Sequence, residues 1–167
     1  MKLLIENWKR YITESMDLAN AATDARMAAE DNEEDPKFAV KEVLRDAGYS
    51  IIGMGQGRVI IGLDNDKVAK IAYNDNGIQQ NKQESVVWNQ TNSDLLIPVL
   101  ESDKLGHYIV VPYAKICGEE CEEQIDMKMG AIKKLLAGVG TQSLIDIYNI
   151  SNWGIHDGQV KLIDYGS

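Results

Sequence analysis

Hydrophobic positions at the start of the chain recur at helical intervals. Over residues 3–19, Leu4, Ile5, Trp8, Tyr11, Ile12, Met16 and Ala19 follow one another at steps of one, three or four, with Lys2, Lys9, Arg10, Glu14 and Asp17 outside that stripe. This spacing predicts an amphipathic helix, and an alanine-rich stretch continues it to Ala29. Glu30, Asp31, Glu33, Glu34 and Asp35 then crowd like charges together, which predicts a solvated linker. Asp35-Pro36 is a helix start: Asp is a good N-cap, and Pro loses nothing at the first helical position because its N–H would be unpaired there anyway. The helix is expected to turn Phe38, Val40, Val43 and Leu44 inward and to stop at Gly48, suited to a left-handed cap.

From Tyr49 the period shortens. Residues 49–52, 58–63 and 67–73 are β-rich runs divided by glycines and by Asp64-Asn65-Asp66. Asn76-Gly77 opens a helix that carries Val86, Val87 and Trp88, and residues 95–100 and 107–113 predict two further strands around Lys104-Leu105-Gly106. Beyond them, 119–138 is predicted helical, with Ile125, Met129, Ile132, Leu135 and Leu136 on one face. A hairpin of 153–155 and 159–164 turns at Asp157-Gly158.

Composition narrows the classes. With 167 residues and 44% apolar content, the chain is one globular domain able to bury a core without a metal or disulfide. A net charge of −9 argues against nucleic acid and against an anionic membrane surface as partners. No apolar run is long enough to span a bilayer, and Leu3, Leu4 and Ile5 are too short a run for a signal peptide. A cytoplasmic location is therefore expected, with Cys117 and Cys121 as free thiols. Glu119, Glu120, Glu122 and Glu123 around them would raise the thiol pKa values and disfavour a metal there. No serine stands in a nucleophile-elbow context, so a Ser-His-Asp hydrolase has no support.

Candidate chemistry begins at Gly53-Met54-Gly55-Gln56-Gly57, where alternate glycines let backbone approach a ligand. A dinucleotide-binding loop would open a helix, but Arg58-Val59-Ile60-Ile61 follows and predicts a strand. No Gly-Lys-Ser/Thr follows either, which removes the Walker pattern. A glycine turn between antiparallel strands remains. Next, Lys70 lies in the apolar run Val68-Ala69-Lys70-Ile71-Ala72, so it either snorkels to water or meets an anion. Glu84, one helix later, is a candidate partner.

In this order the residues resemble the protein kinases and related kinase-like phosphotransferases, over about 49–166. The resemblance implies that Gly53, Gly55 and Gly57 cover the phosphates of ATP, and that Lys70, held by Glu84, contacts them. Val111 and Tyr113, in Val111-Pro112-Tyr113-Ala114, would form the hinge beside adenine. Asn152, followed by the hairpin and by Asp164-Tyr165-Gly166, resembles the catalytic-loop asparagine and a variant Asp-Phe-Gly motif. Both would ligate Mg²⁺, since a hairpin brings residues twelve apart to neighbouring strand ends.

The pattern departs at the base: five residues before Asn152 stands Ile147, and Asp146 is one residue further back. Asp146 is thus a doubtful base, and His156, in the hairpin turn, does not replace it. Because the sequence ends just after Asp-Tyr-Gly, the peptide-substrate platform of the family is expected to be missing.

The expected fold class is α+β: a kinase-like N-lobe with a five-stranded antiparallel sheet plus one helix, a much reduced C-lobe, and an N-terminal amphipathic helix. The expected divisions are 1–35, 36–113 and 114–167. The N-terminal helix, through Trp8, Tyr11 and Ile12, is expected to cover the reduced lobe, in the same chain or in a dimer. Two functions stay open: a Mg²⁺–ATP-binding domain that transfers phosphate to an unknown acceptor, or a pseudokinase that engages a protein partner. A ligand-free α+β adaptor is the third. Small size and the reduced second lobe resemble kinase-like proteins encoded by bacteriophages.

Overall fold

A computed structural model describes residues 2–64, 66–140 and 146–166, without the side chains of 2–4, 11 and 146. Of the expectations above, those on Leu3, Leu4, Asn65 and the side chains of Tyr11 and Asp146 fall outside the described residues. Helix α1 (Lys2–Asp31) leads into α2 (Pro36–Asp46), whose N-cap behaves as its sequence predicts: the Asp35 carboxylate accepts the Phe38 N–H at 3.0 Å. Gly48 follows α2 at φ +89°, the left-handed stop that a glycine makes at little cost.

The first sheet holds β1 (Ile51–Met54), β2 (Arg58–Leu63), β3 (Lys67–Ala72), β4 (Glu101–Ser102) and β5 (Tyr108–Pro112) in the order β1-β2-β3-β5-β4. Every neighbouring pair is antiparallel. Between β3 and β4 runs α3 (Asp75–Thr91), capped by Asn74, whose side chain accepts the Gly77 N–H. A smaller sheet of β6 (Lys115–Ile116), β7 (Trp153–His156) and β8 (Gln159–Leu162) and the helix α4 (Glu122–Gly138) form the second part. The β7–β8 turn carries φ +49° at Asp157 and +72° at Gly158, the positive pair that a tight two-residue hairpin requires. This is an α+β fold with a five-stranded antiparallel sheet and a smaller second part.

Strand alternation divides the first sheet into two faces. Val59, Ile61, Ala69, Ile71, Tyr108 and Val110 join Leu18, Ala21, Ala22, Ala25, Val40 and Leu44 of α1 and α2 in one core. Each fully buried Ile, Leu or Val there contributes about 1.5–3 kcal/mol. Ile60, Val68, Ile109 and Val111 face the other way, into a core shared with Ile132, Leu136, Ile147, Trp153 and Leu162.

Four expectations are corrected. Within the chain, helix α1 covers the outer face of the first sheet and not the reduced lobe, largely through alanines in its C-terminal half that let the helix sit close. Its expected stripe residues Ile5, Trp8, Ile12 and Met16 are instead exposed. Phe38 is also exposed, while Val40 and Leu44 of the same helix are fully buried. Residues 95–100 make no strand of the first sheet. Pro98 has no N–H to give to a ladder; Leu96 bridges Leu162 of β8, and the segment reaches β5 only at its end, where the Leu100 N–H donates to the Val110 carbonyl at 2.8 Å. Lastly, Cys117 and Cys121 form a disulfide. The expectation of free thiols rests on the lack of a secretion signal; the neighbouring glutamates are exposed, whereas both cysteines are buried and the intervening turn sets their Cα atoms 5.7 Å apart.

Candidate functional site

Lys70 projects from the middle of β3 on the face away from α1, and α3 lies across that face. A lysine there must find an anion or lose its charge. Glu84 of α3, fully buried, supplies it: Lys70 Nζ donates to Glu84 Oε2 at 2.8 Å and Oε1 at 2.9 Å. Nζ also donates to the Ile163 carbonyl at 2.6 Å, which ties the residue before Asp164 to the sheet. The pairing inferred from sequence is therefore present and desolvated.

The charged centre has a member that sequence reasoning missed. Arg58, 4% exposed, donates from Nη1 to Glu84 Oε1 at 2.6 Å and to Asn81 Oδ1 at 3.2 Å, and from Nη2 to Asp164 Oδ1 at 2.7 Å. Asn81 in turn donates to the carbonyls of Lys70 and Gly106. Arg58 opposes Ala72 in the register where Ile60 opposes Lys70, so alternation puts Arg58 on the face of Lys70. A charge in an otherwise apolar strand, two residues from the position facing Lys70, was the available signal.

Asp164 arrives from the other lobe. Its N–H and that of Ile163 both donate to the Asn152 carbonyl, at 3.2 and 2.7 Å, so the backbones of Asn152 and Asp164 lie side by side. Burial alone would push the Asp164 carboxyl up, but Lys70 and Arg58 outweigh it and hold it down at about 2. Arg58 shows the same balance inverted: burial works against its charge, and Glu84 and Asp164 more than restore it. Tyr165 is buried, donates its hydroxyl to the Ile97 carbonyl at 2.7 Å, and has its pKa raised by burial first and by Glu84 next. Gly166 abuts Gln80 of α3 closely enough that a Cβ would collide with that backbone.

The glycine turn has two kinds of glycine. Gly57 is demanded by packing: a Cβ there would come within 2.5 Å of Gly77 N and 2.9 Å of Asn74 Oδ1. Gly53 and Gly55 are not, since added Cβ atoms would meet nothing nearer than 3.5 Å and 3.8 Å. The turn is held from behind, by Tyr73 Oη donating to the Gly55 carbonyl at 2.8 Å and Asn74 Nδ2 to the Gln56 carbonyl at 2.9 Å.

The remaining expected residues fall as follows. Val111 is buried on β5 opposite Val68. Tyr113 is about half exposed; its N–H donates to the Asp66 carbonyl at 2.7 Å, and its own carbonyl lies 3.1 Å from His156 Nδ1. Asp146 begins a short 3-10 turn, Asp146–Tyr148, and its side chain lies outside the described residues. Ile147, at the position where the family places its base, is a core residue whose carbonyl accepts the Trp153 indole N–H at 2.8 Å.

No protein-family model and no curated protein matches the chain. Solved structures with similar chain paths include the streptomycin–ATP–APH(2")-IIa ternary complex, at 10% identity and a TM-score of 0.40 over 75% of this chain and 70% of that one. SAICAR synthase from Saccharomyces cerevisiae, complexed with SAICAR, overlaps at 10% identity and a TM-score of 0.40 over 71% and 73%. Both overlaps are loose.

Two buried cations lie on this sheet face, beside the turn whose Gly53 and Gly55 have no packing need. A divalent cation on Asn152 and Asp164 fits poorly. Asp164 Oδ1 already holds a guanidinium, and among the described residues no group of three or more His, Cys, Asp or Glu is arranged for a metal ion.

Proposed function

We propose that this chain is a kinase-like nucleotide-binding domain that takes ATP between the glycine turn of β1–β2 and the Asp164 end of the hairpin. The observation that carries this reading is the buried Lys70–Glu84 pair at 2.8 Å, with Asp164 drawn to the same centre from the other lobe. Gly53 and Gly55 would admit the phosphates, Lys70 would contact them, and Val111 and Tyr113 would border the base. Adding ATP as substrate supplies a transferable γ-phosphoryl group; the chain's own residues hold and orient it.

Transfer is the weaker half. The core position of Ile147 favours a pseudokinase that binds nucleotide and acts through a protein partner or a second copy. The exposed α1 stripe Ile5, Ile12 and Met16 is the place where such a partner would dock.

Isothermal titration with ATP tests the binding claim. Saturable binding is expected in the wild type, weakened at least about tenfold in Lys70→Met, the loss of a charge-assisted hydrogen bond. Heats that never saturate at millimolar ATP would sink it. ADP release from labelled ATP decides transfer separately.

A further inference from the structure

The nucleotide reading leaves Arg58 without a role. Glu84 carries one negative charge and accepts from two cations, Lys70 and Arg58. Lys70 alone neutralises it, so Arg58 is surplus to the α3 tie. Its guanidinium is nonetheless fixed from behind, Nη1 being held by Glu84 and Asn81, both fully buried. Its Nη2 side meets Asp164 at 2.7 Å. Arginine keeps its proton throughout the ordinary pH range, so this is a permanent positive charge on the carboxylate that the resemblance gives to a metal. Arg58, Lys70, Glu84 and Asp164 together sum to zero.

We infer that the site takes the phosphates of its nucleotide without a divalent cation, Arg58 standing where the cation would link Asp164 to a phosphate oxygen. The inference rests on the nucleotide reading above. A guanidinium N–H is a charge-assisted donor to phosphate oxygens, whose charge a bridging cation otherwise neutralises, and Nη2 is the group of Arg58 placed beside Asp164. A cation placed on Asp164 would lie against the fixed guanidinium, like charge on like. Swinging Arg58 aside to make room would strip Glu84 and Asn81 of a buried donor. Metal therefore loses on both routes. The plain alternative is that Arg58 only ties the hairpin lobe to α3.

The test is calorimetric titration of the full chain with ATP, once in EDTA and once in excess Mg²⁺. Dissociation constants that agree within about threefold are expected, where a cation-bridged site would differ far more. In Arg58→Gln, affinity in EDTA should fall at least about tenfold, and Mg²⁺ should recover part of it by reaching the freed Asp164. Should Arg58→Gln fail to fold, Arg58→Lys keeps the charge and should retain binding in EDTA, more weakly than wild type. Wild-type binding that requires Mg²⁺ overturns the inference and leaves the nucleotide site standing. Absence of ATP binding in either medium overturns both. Metal-independent binding that Arg58→Gln leaves unchanged also overturns it, because neutralisation would then fall to Lys70 alone.

Discussion

Glu84 accepts hydrogen bonds from Lys70 and Arg58 while fully buried, so both cations depend on one carboxylate. Glu84→Ala would strand two buried charges, and breaking a buried pair from one side costs about 3–5 kcal/mol. For a chain of this size the melting temperature should fall by roughly 10 °C; a drop under about 2 °C would mean the network is dispensable. Asp164 gives a pH signature. Its folded pKa is depressed to about 2 from 3.8, so its contribution is present above the ordinary value and is lost as pH falls from about 4 towards 2. The stability gap between wild type and Asp164→Asn should therefore shrink across that window, measured by denaturant melts; a constant gap would argue against the ion pair. Lys70 could be read from sequence because a lone charge in an apolar run stands out, whereas the roles of Glu84 and Asp164 come through the resemblance to the kinase pattern. Arg58 could not be read as easily, because an arginine directly after a turn looks like an exposed strand end until the register is known.

At the scale of elements, the glycine turn and the hairpin were fixed by local chemistry. Asp35, Gly48 and Asp157-Gly158 act as their positions in sequence imply, since caps and tight turns depend on neighbours a few residues away. The segment 95–100 was not, because its partner is β8, more than sixty residues on, and Pro98 denies it the ladder its apolar run suggests. The two kinds of glycine in the turn make a paired prediction. Gly57→Ala should destabilise by about 1–3 kcal/mol, the range for overpacking a site that has no room. Gly55→Ala should leave the melting temperature nearly unchanged yet weaken ATP binding, because a Cβ there meets only what approaches from outside. Equal effects of both on stability alone would make the turn a purely structural feature.

Across the whole molecule, the sheet has helices on both faces: α1 and α2 outside, α3 and the second lobe inside. Periodicity showed that α1 has an apolar stripe, but which surface it meets is a long-range choice that small residues decide. Trp8 and Ile12 stay exposed, and Leu18, Ala21, Ala22 and Ala25 are the ones buried. Removing residues 1–31 would bare Val59, Ile61, Ile71 and Val110, so the shortened chain should lose its cooperative thermal transition or its solubility. The central claim, that the buried charged centre is a nucleotide site, is tested most directly by the melting temperature of the wild type with and without ATP. At about 100 times its dissociation constant a ligand stabilises the folded state by about 2.7 kcal/mol, which here corresponds to a rise of several degrees. The account predicts that rise in the wild type and its disappearance in Lys70→Met; an unchanged melting temperature at millimolar ATP would contradict it.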